Sequence, residues 1–218
     1  MNNKEYVEKL NDILENEYPA AKCSLVTETP LQLLIATQLS AQCKDERVNM
    51  VTKDLFAKYE TAEDFANADI SDIESIIKSL GLYRNKAKNI VVCCKKIVNE
   101  FDGKVPSTMQ ELLKLDGTGR KTANLVLGDA FGIPGIVVDT HMIRLSNRMG
   151  LTKNTDPVKI EYELKKKIPS EIQTAFCHRI VLHGRKYCTA SKPNCEACPL
   201  NSICPKISFS NKKSSKGK

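Results

Sequence analysis

"LDGTGRKTANLVLGDAFG", Leu115 to Gly132, places two glycines and two adjacent cations ahead of an apolar stretch. Glycine adopts positive φ without steric penalty, so "DGTGR" reads as a tight turn. "STMQELLKL" before it and "KTANLVLGDAF" after it read as helices. Ala123, Val126, Leu127, Ala130 and Phe131 share one stripe of the second helix, which must be buried. Lys121 projects roughly opposite that stripe, in the helix's first turn. Gly117 and Gly119 carry no side chain to bar a ligand. Their amides, with the positive end of the second helix, form an anion site. The G-x-x-x-x-G-K spacing of a Walker loop is absent. Such a site suits one phosphate of a nucleic-acid backbone and reads no bases. A G-x-G on its own is also what a plain turn between two packed helices shows.

Helical punctuation continues on both sides of the hairpin. Thr29-Pro30 predicts an N-cap and first-turn proline for "LQLLIATQLSAQ". Val48, Val51, Leu55 and Phe56 recur at helical spacing, and "SDIESIIKSLG" predicts a helix stopped by Gly81. Ala87, Ile90, Val91, Cys94, Ile97, Val98 and Phe101 form one long stripe. Thr108 with Glu111 predicts a capping box. Asp156-Pro157 opens a helix that closes before Pro169, and another runs from about Glu171 to His183, stopped by Gly184. "GIVV" before Asp139 is too short to build a sheet. The expected fold class is all-α, with about nine or ten short helices.

The 218 residues, 41% hydrophobic and 27% charged, have the composition of a globular protein. No apolar run reaches the roughly 18 residues of a membrane span. The start, "MNNKEYVEKLNDILENEY", is charged and amphipathic and has no signal core, so a cytoplasmic protein is expected. A net charge of +7 is compatible with a merely soluble surface or with a polyanion partner. The tail "KISFSNKKSSKGK" supplies part of that excess and reads as disordered. Nine cysteines, at 23, 43, 93, 94, 177, 188, 195, 198 and 204, argue for reduced thiols or metal ligation. Cys188, Cys195, Cys198 and Cys204 form C-x6-C-x2-C-x5-C, a spacing that serves zinc or an iron–sulfur cluster.

"LDGTGRKTAN", "VVDTH" ending at His141, and the four C-terminal cysteines together resemble the endonuclease III family of helix-hairpin-helix DNA glycosylases. "LSAQ" (Leu39 to Gln42), "GLYRNKA" (Gly81 to Ala87) and "LHGRKYC" (Leu182 to Cys188) resemble family segments in the same order. The resemblance implies a two-lobed fold. Residues 23–132 would form a helical barrel domain containing the hairpin at about 108–131. Residues 1–22 with 133–218 would form an iron–sulfur cluster domain, with a cluster loop at 188–204 and a basic tail from about 206 to 218. It also implies a bifunctional glycosylase and AP lyase of base excision repair. Such an enzyme removes oxidised or otherwise damaged pyrimidines from double-stranded DNA and cuts 3′ to the abasic site by β-elimination. A nucleoid-associated monomer is expected.

Residue by residue, the resemblance makes Lys121 the nucleophile and Asp139 its carboxylate partner. An ammonium beside Arg120 and at a positive helix end is disfavoured, which suits an amine that must attack a sugar. Asp139 is by itself a plausible N-cap. As a catalytic group it would stabilise positive charge on the sugar or help deprotonate the lysine. Cys188, Cys195, Cys198 and Cys204 would hold a [4Fe-4S] cluster. Gln42 and Leu82 would fill the gap left by an extruded nucleotide. Gly117, Thr118, Gly119, Arg120, Arg185 and Lys192 would contact DNA, and the other cysteines are expected to be core fillers. His141 stays outside the catalytic set.

Two departures stand out. The family hairpin usually reads L-P-G-V-G-R-K, whereas this chain has Asp116 and Thr118 in place of the proline and valine. Asp116 puts a negative charge near a phosphate site and is expected to weaken it. Cys43-Lys44 follows "LSAQ" where the family usually has small residues. Adenine mismatch glycosylases of the same superfamily share the cluster but typically lack the lysine and carry a further C-terminal domain. Here Lys121 is present and the chain ends 14 residues after Cys204. A non-catalytic DNA-binding module would need the hairpin but no Lys121–Asp139 pair.

Overall fold

The computed structural model describes residues 2–207, so the basic tail expected from about 206 lies outside the described residues except for its first two. Every regular element among them is helical: α1 (Asn3–Glu17), α2 (Pro30–Leu39), α3 (Asp45–Lys58), α4 (Ala62–Asn67), α5 (Ile70–Ile77), α6 (Tyr83–Phe101), α7 (Met109–Leu112), α8 (Arg120–Phe131), α9 (Thr140–Arg148), α10 (Pro157–Lys167) and α11 (Gln173–Lys186), with a 3-10 turn at Ser170–Ile172. The chain is all-α, as its periodicity indicated. The caps act where the sequence placed them. Thr29 Oγ1 accepts the Gln32 amide, Thr108 that of Glu111, and Asp156 that of Lys159.

Three local expectations are corrected. Helix α4 was not anticipated. Its six residues make less than two turns and carry too little periodicity, but a Thr61–Asp64 capping box fixes its start. Gly81 does not stop α5, which ends at Ile77. The left-handed residue of that turn is Leu82, at φ +59°. Gly184 does not stop α11, which runs on to Lys186. The glycine is needed for close approach: a Cβ there would lie 2.5 Å from His141 Nδ1 and 3.0 Å from Arg144 Nη2.

The chain divides into two compact units, Cys23–Gly135 and the remainder on either side of it. The first unit packs α2 to α8 around a continuous apolar core that includes Leu34, Ile35, Leu55, Phe65, Ile73, Ile90, Ile97 and Val126. Helix α6 lies against α4 and α5, and α2 lies against α8. The second unit packs α1 against α10 and α11, and α11 against α9, around Leu10, Leu14, Leu145, Ile160, Leu164, Phe176 and Ile180. Each such aliphatic or aromatic side chain contributes about 1.5–3 kcal/mol by leaving water. The buried Arg179 ties α11 to α1, donating to Asn11 Oδ1 at 2.9 Å and to Glu15 Oε1 at 2.7 Å. Among the described residues no helix is long and apolar enough to cross a membrane.

Candidate functional site

The hairpin sits in the unit Cys23–Gly135. Helix α7 ends at Leu112, and the Thr118 amide donates to the Leu115 carbonyl at 3.1 Å to form the turn. Gly117 has φ +73°, and a Cβ there would lie 3.3 Å from Asn89 Cβ and 3.4 Å from Gln38 Cδ. The positive φ demands glycine, and the neighbouring side chains leave a Cβ little room. Gly119 is the N-cap of α8; nothing lies within 4 Å of where its Cβ would be. Gly119 brings no capping side chain to α8, whose N-terminus is a positive dipole end suited to an anion. Lys121 is exposed on that same first turn. Arg120 is half-buried beside it. Thr118 turns inward: it is only 8% exposed, and its hydroxyl accepts from Gln38 Nε2 at 3.1 Å.

The two expected gap-filling residues share an unusual conformation. Gln42 (φ +56°) and Leu82 (φ +59°) are both left-handed and both exposed. That region costs an L residue about 1–2 kcal/mol. Leu82 also holds a large apolar side chain 57% exposed to water, as the N-cap of α6. Strain and exposure at the same loop tips serve no packing purpose. Behind them the buried Lys86 of α6 donates to Cys43 Sγ at 3.3 Å, tying the start of α6 to the turn that carries Gln42. Cys93 and Cys94 are core fillers as expected, and burial pushes the Cys93 thiol up to about 11.

Asp139 lies in the other unit and is the N-cap of α9, its Oδ1 accepting the Met142 amide at 2.7 Å. That bond fixes the carboxylate's orientation. His141 Nδ1 is 3.1 Å from Arg144 Nη2, a packing role beside Gly184. Arg185 is exposed at the end of α11. Lys192 is exposed in the following loop, where its carbonyl accepts from Thr189 Oγ1 at 2.6 Å.

Cys188, Cys195, Cys198 and Cys204 line one cavity together with Met149, His183 and Leu200. Burial pushes the Cys198 and Cys204 thiols above their ordinary range, and repulsion from the neighbouring thiolates adds to it. A cationic metal group bound among them would offset that repulsion. His183 is buried and held neutral, its pKa lowered to about 4 by burial, with Nδ1 3.2 Å from Tyr18 Oη and Nε2 3.3 Å from Cys198 Sγ. Arg148 donates to Cys188 Sγ at 3.3 Å, to the Thr189 carbonyl at 2.7 Å and to the Ala190 carbonyl at 2.9 Å. Arg144 Nε donates to the Cys188 carbonyl at 3.2 Å. Four thiols around one largely apolar cavity fit a polynuclear iron–sulfur group.

Sequence reasoning missed Gln38, Lys86, Arg144 and Arg148. Arg144 and Arg148 had a signal, being two cations one helical turn apart in "DTHMIRLSNR". Gln38 and Lys86 had none, because only packing shows what they reach.

Residues 35–170 match the HhH-GPD superfamily of base excision DNA repair proteins, and residues 188–204 match the iron–sulfur binding domain of endonuclease III. The chain is 56% identical to endonuclease III of Synechocystis over 88% of this chain and 89% of that one. It is 45% identical to endonuclease III of Bacillus subtilis, covering 94% of each. A solved structure of a trapped endonuclease III–DNA covalent intermediate is similar at 43% identity and a TM-score of 0.89, covering 94% of this chain and 97% of that one.

Proposed function

The chain belongs to the endonuclease III family within the HhH-GPD superfamily, and from that membership we propose how its own residues divide the work. It is a DNA glycosylase and AP lyase for damaged pyrimidines that holds a [4Fe-4S] cluster. The observation that carries the assignment of roles is Lys121, exposed in the first turn of an uncapped helix directly behind a glycine turn. A phosphate bound at the Gly117–Gly119 turn brings the adjoining sugar to the lysine. Arg120 reinforces that contact, and Thr118 shapes the turn from inside.

Lys121 Nζ, as the free amine, attacks C1′ of the damaged nucleotide. The bond from C1′ to the base breaks, and the base leaves with the electron pair and takes up a proton. The sugar ring opens to a Schiff base on Nζ. Loss of a C2′ proton then expels the 3′ phosphate by β-elimination, and water releases the lysine. Asp139, oriented by its bond to the Met142 amide, stabilises the positive charge that builds on the sugar and can accept a proton from the lysine. The solved relative trapped as a covalent intermediate with DNA supports a nucleophile carried by the protein.

Gln42 and Leu82 occupy the space of the extruded nucleotide, from loop tips already strained into position. Arg185 and Lys192 add phosphate contacts from the other unit. When bound, the cluster cross-links the chain from Cys188 to Cys204 and so holds the Lys192 loop. The protein works on the chromosome in the cytoplasm. Duplexes carrying one oxidised pyrimidine test the assignment. The wild-type protein releases the base and leaves a 3′ β-elimination product. Lys121→Ala loses strand cleavage by at least about 1,000-fold while keeping its fold. Cleavage by a folded, cluster-loaded Lys121→Ala at more than a tenth of the wild-type rate would move the nucleophile elsewhere.

A further inference from the structure

We propose that Gln38 is a positioning residue for the hairpin, a role that rests on the hairpin being the phosphate site. Gln38 lies on α2, far from the hairpin in sequence, and is only 7% exposed. Its Nε2 donates to the Asp116 carbonyl at 2.9 Å and to Thr118 Oγ1 at 3.1 Å, and lies 3.5 Å from Cys93 Sγ. The Asp116 carbonyl can only accept, so the amide nitrogen is the atom that faces it. Gly117 rests on the same amide: a Cβ there would come within 3.4 Å of Gln38 Cδ. One side chain therefore touches three consecutive residues of the turn. Its Oε1, by contrast, is buried without a partner. A residue that leaves its carbonyl unsatisfied is not optimised for core stability. It is held by what its nitrogen does.

The departures from the usual family hairpin explain why the clamp is needed here. Proline at 116 would fix φ near −65° and stiffen the turn by itself. Asp116 supplies no ring, so the turn depends more on the bond from Gln38 to the residue-116 carbonyl. Valine at 118 would offer only methyl groups to α2, whereas Thr118 offers the hydroxyl that Gln38 grips. The Thr118 hydroxyl is thus the part of the altered hairpin that adds to the grip on the main-chain carbonyl of residue 116. With the turn anchored, the Gly119 and α8 amides hold their aim without a proline.

Four cluster-loaded proteins test the clamp: wild type, Gln38→Leu, Asp116→Pro/Thr118→Val, and the triple combination. The readouts are affinity for undamaged duplex across a salt series, single-turnover cleavage of an abasic duplex at saturating enzyme, and the thermal midpoint. Gln38→Leu is expected to weaken duplex binding about tenfold and to lower the salt slope by about one phosphate contact. Saturated single-turnover cleavage stays within about twofold of wild type. In the proline/valine background the same substitution changes affinity by less than about twofold, because the ring stiffens the turn by itself and only the carbonyl of residue 116 is left to grip. Thr118→Val alone removes one acceptor with little change in volume and is expected to weaken binding about threefold, which keeps the test open if Gln38→Leu folds poorly. Equal losses in both backgrounds, or wild-type affinity in a folded Gln38→Leu, would overturn the clamp. Arg120→Ala separates the two layers. If it weakens binding while Gln38→Leu does not, the clamp alone falls. If neither does, the hairpin as phosphate site falls with it.

Discussion

The two units solve the problem of staying folded differently. Cys23–Gly135 is one unbroken stretch that closes on an apolar core spanning α2 to α8. The other is assembled from both ends of the chain around a smaller core, and its polar ties include ones that join those two ends. Arg179 reaches Asn11 and Glu15, Lys186 reaches Glu17, and Glu163 gathers Thr152, Asn154 and Lys167. After Lys186 the described chain forms no helix, and Leu200 is its only buried residue. Its anchors are the four-cysteine cavity and the arginines of α9. The unbroken unit carries Lys121, proposed as the nucleophile, and the strained loop tips. The cluster is therefore expected to be a structural requirement of the unit that carries Asp139, Arg185 and Lys192.

Removing a cluster ligand is the largest perturbation of that contrast. Cys198→Ala is expected to abolish the visible absorbance of the cluster and to raise amide exchange in residues 187–207 by about 100-fold or more, leaving α2 to α8 protected. Exchange rising equally in both units would break the contrast. Next come two matched core truncations. Phe65→Ala and Phe176→Ala each remove a fully buried ring and should cost about 3–5 kcal/mol. Exchange by mass spectrometry should locate the first loss in α2 to α8 and the second in α1 and α9 to α11, with cluster absorbance following only the second.

A glycine pair sharpens the picture on a smaller scale. Gly184→Ala forces apart α9 and α11 where a Cβ has 2.5 Å of space, and is expected to cost about 1–3 kcal/mol in urea titrations. Gly81→Ala, with nothing within 4 Å, should cost less than about 0.5 kcal/mol. Leu82→Gly should separate stability from function. Relief of about 1–2 kcal/mol of left-handed strain offsets glycine's entropy, so the melting point barely moves, while base removal slows about tenfold. An unchanged rate of base removal would leave the exposure of Leu82 without a purpose.

The smallest expected effect is on pH. Burial works against the ionised Glu163, but hydrogen bonds from Lys167, Thr152 and Asn154 hold its carboxyl below its ordinary value of 4.5. The folded value is therefore lower than the unfolded one. The stabilisation is fully present above the unfolded value and is lost as pH falls through the folded one. Denaturation midpoints between roughly pH 3 and 6 should show a shallower acid limb for Glu163→Gln than for wild type.

Much of this was legible in the sequence, and the limits have physical reasons. Caps such as Thr29, Thr108 and Asp156 act over three residues, so local spacing reveals them. The cysteine spacing announced a metal site and left its identity to the resemblance. What stayed hidden depended on distant neighbours. Gly184 looked like a helix stop because nothing local shows that His141 and Arg144 press on it. Gly81 was read as the helix stop although Leu82 is the left-handed residue of that turn, since a leucine's left-handed backbone leaves no trace in composition. The polar grip of Gln38 on the hairpin joins residues 78 and 80 positions apart.

The most direct test of the catalytic assignment is borohydride reduction of the cluster-loaded protein mixed with abasic-site duplex, followed by peptide mapping of the adduct. The expected result is one covalent adduct on the peptide containing Lys121, absent from Lys121→Ala. An adduct on another residue, or an undiminished yield from Lys121→Ala, would contradict it.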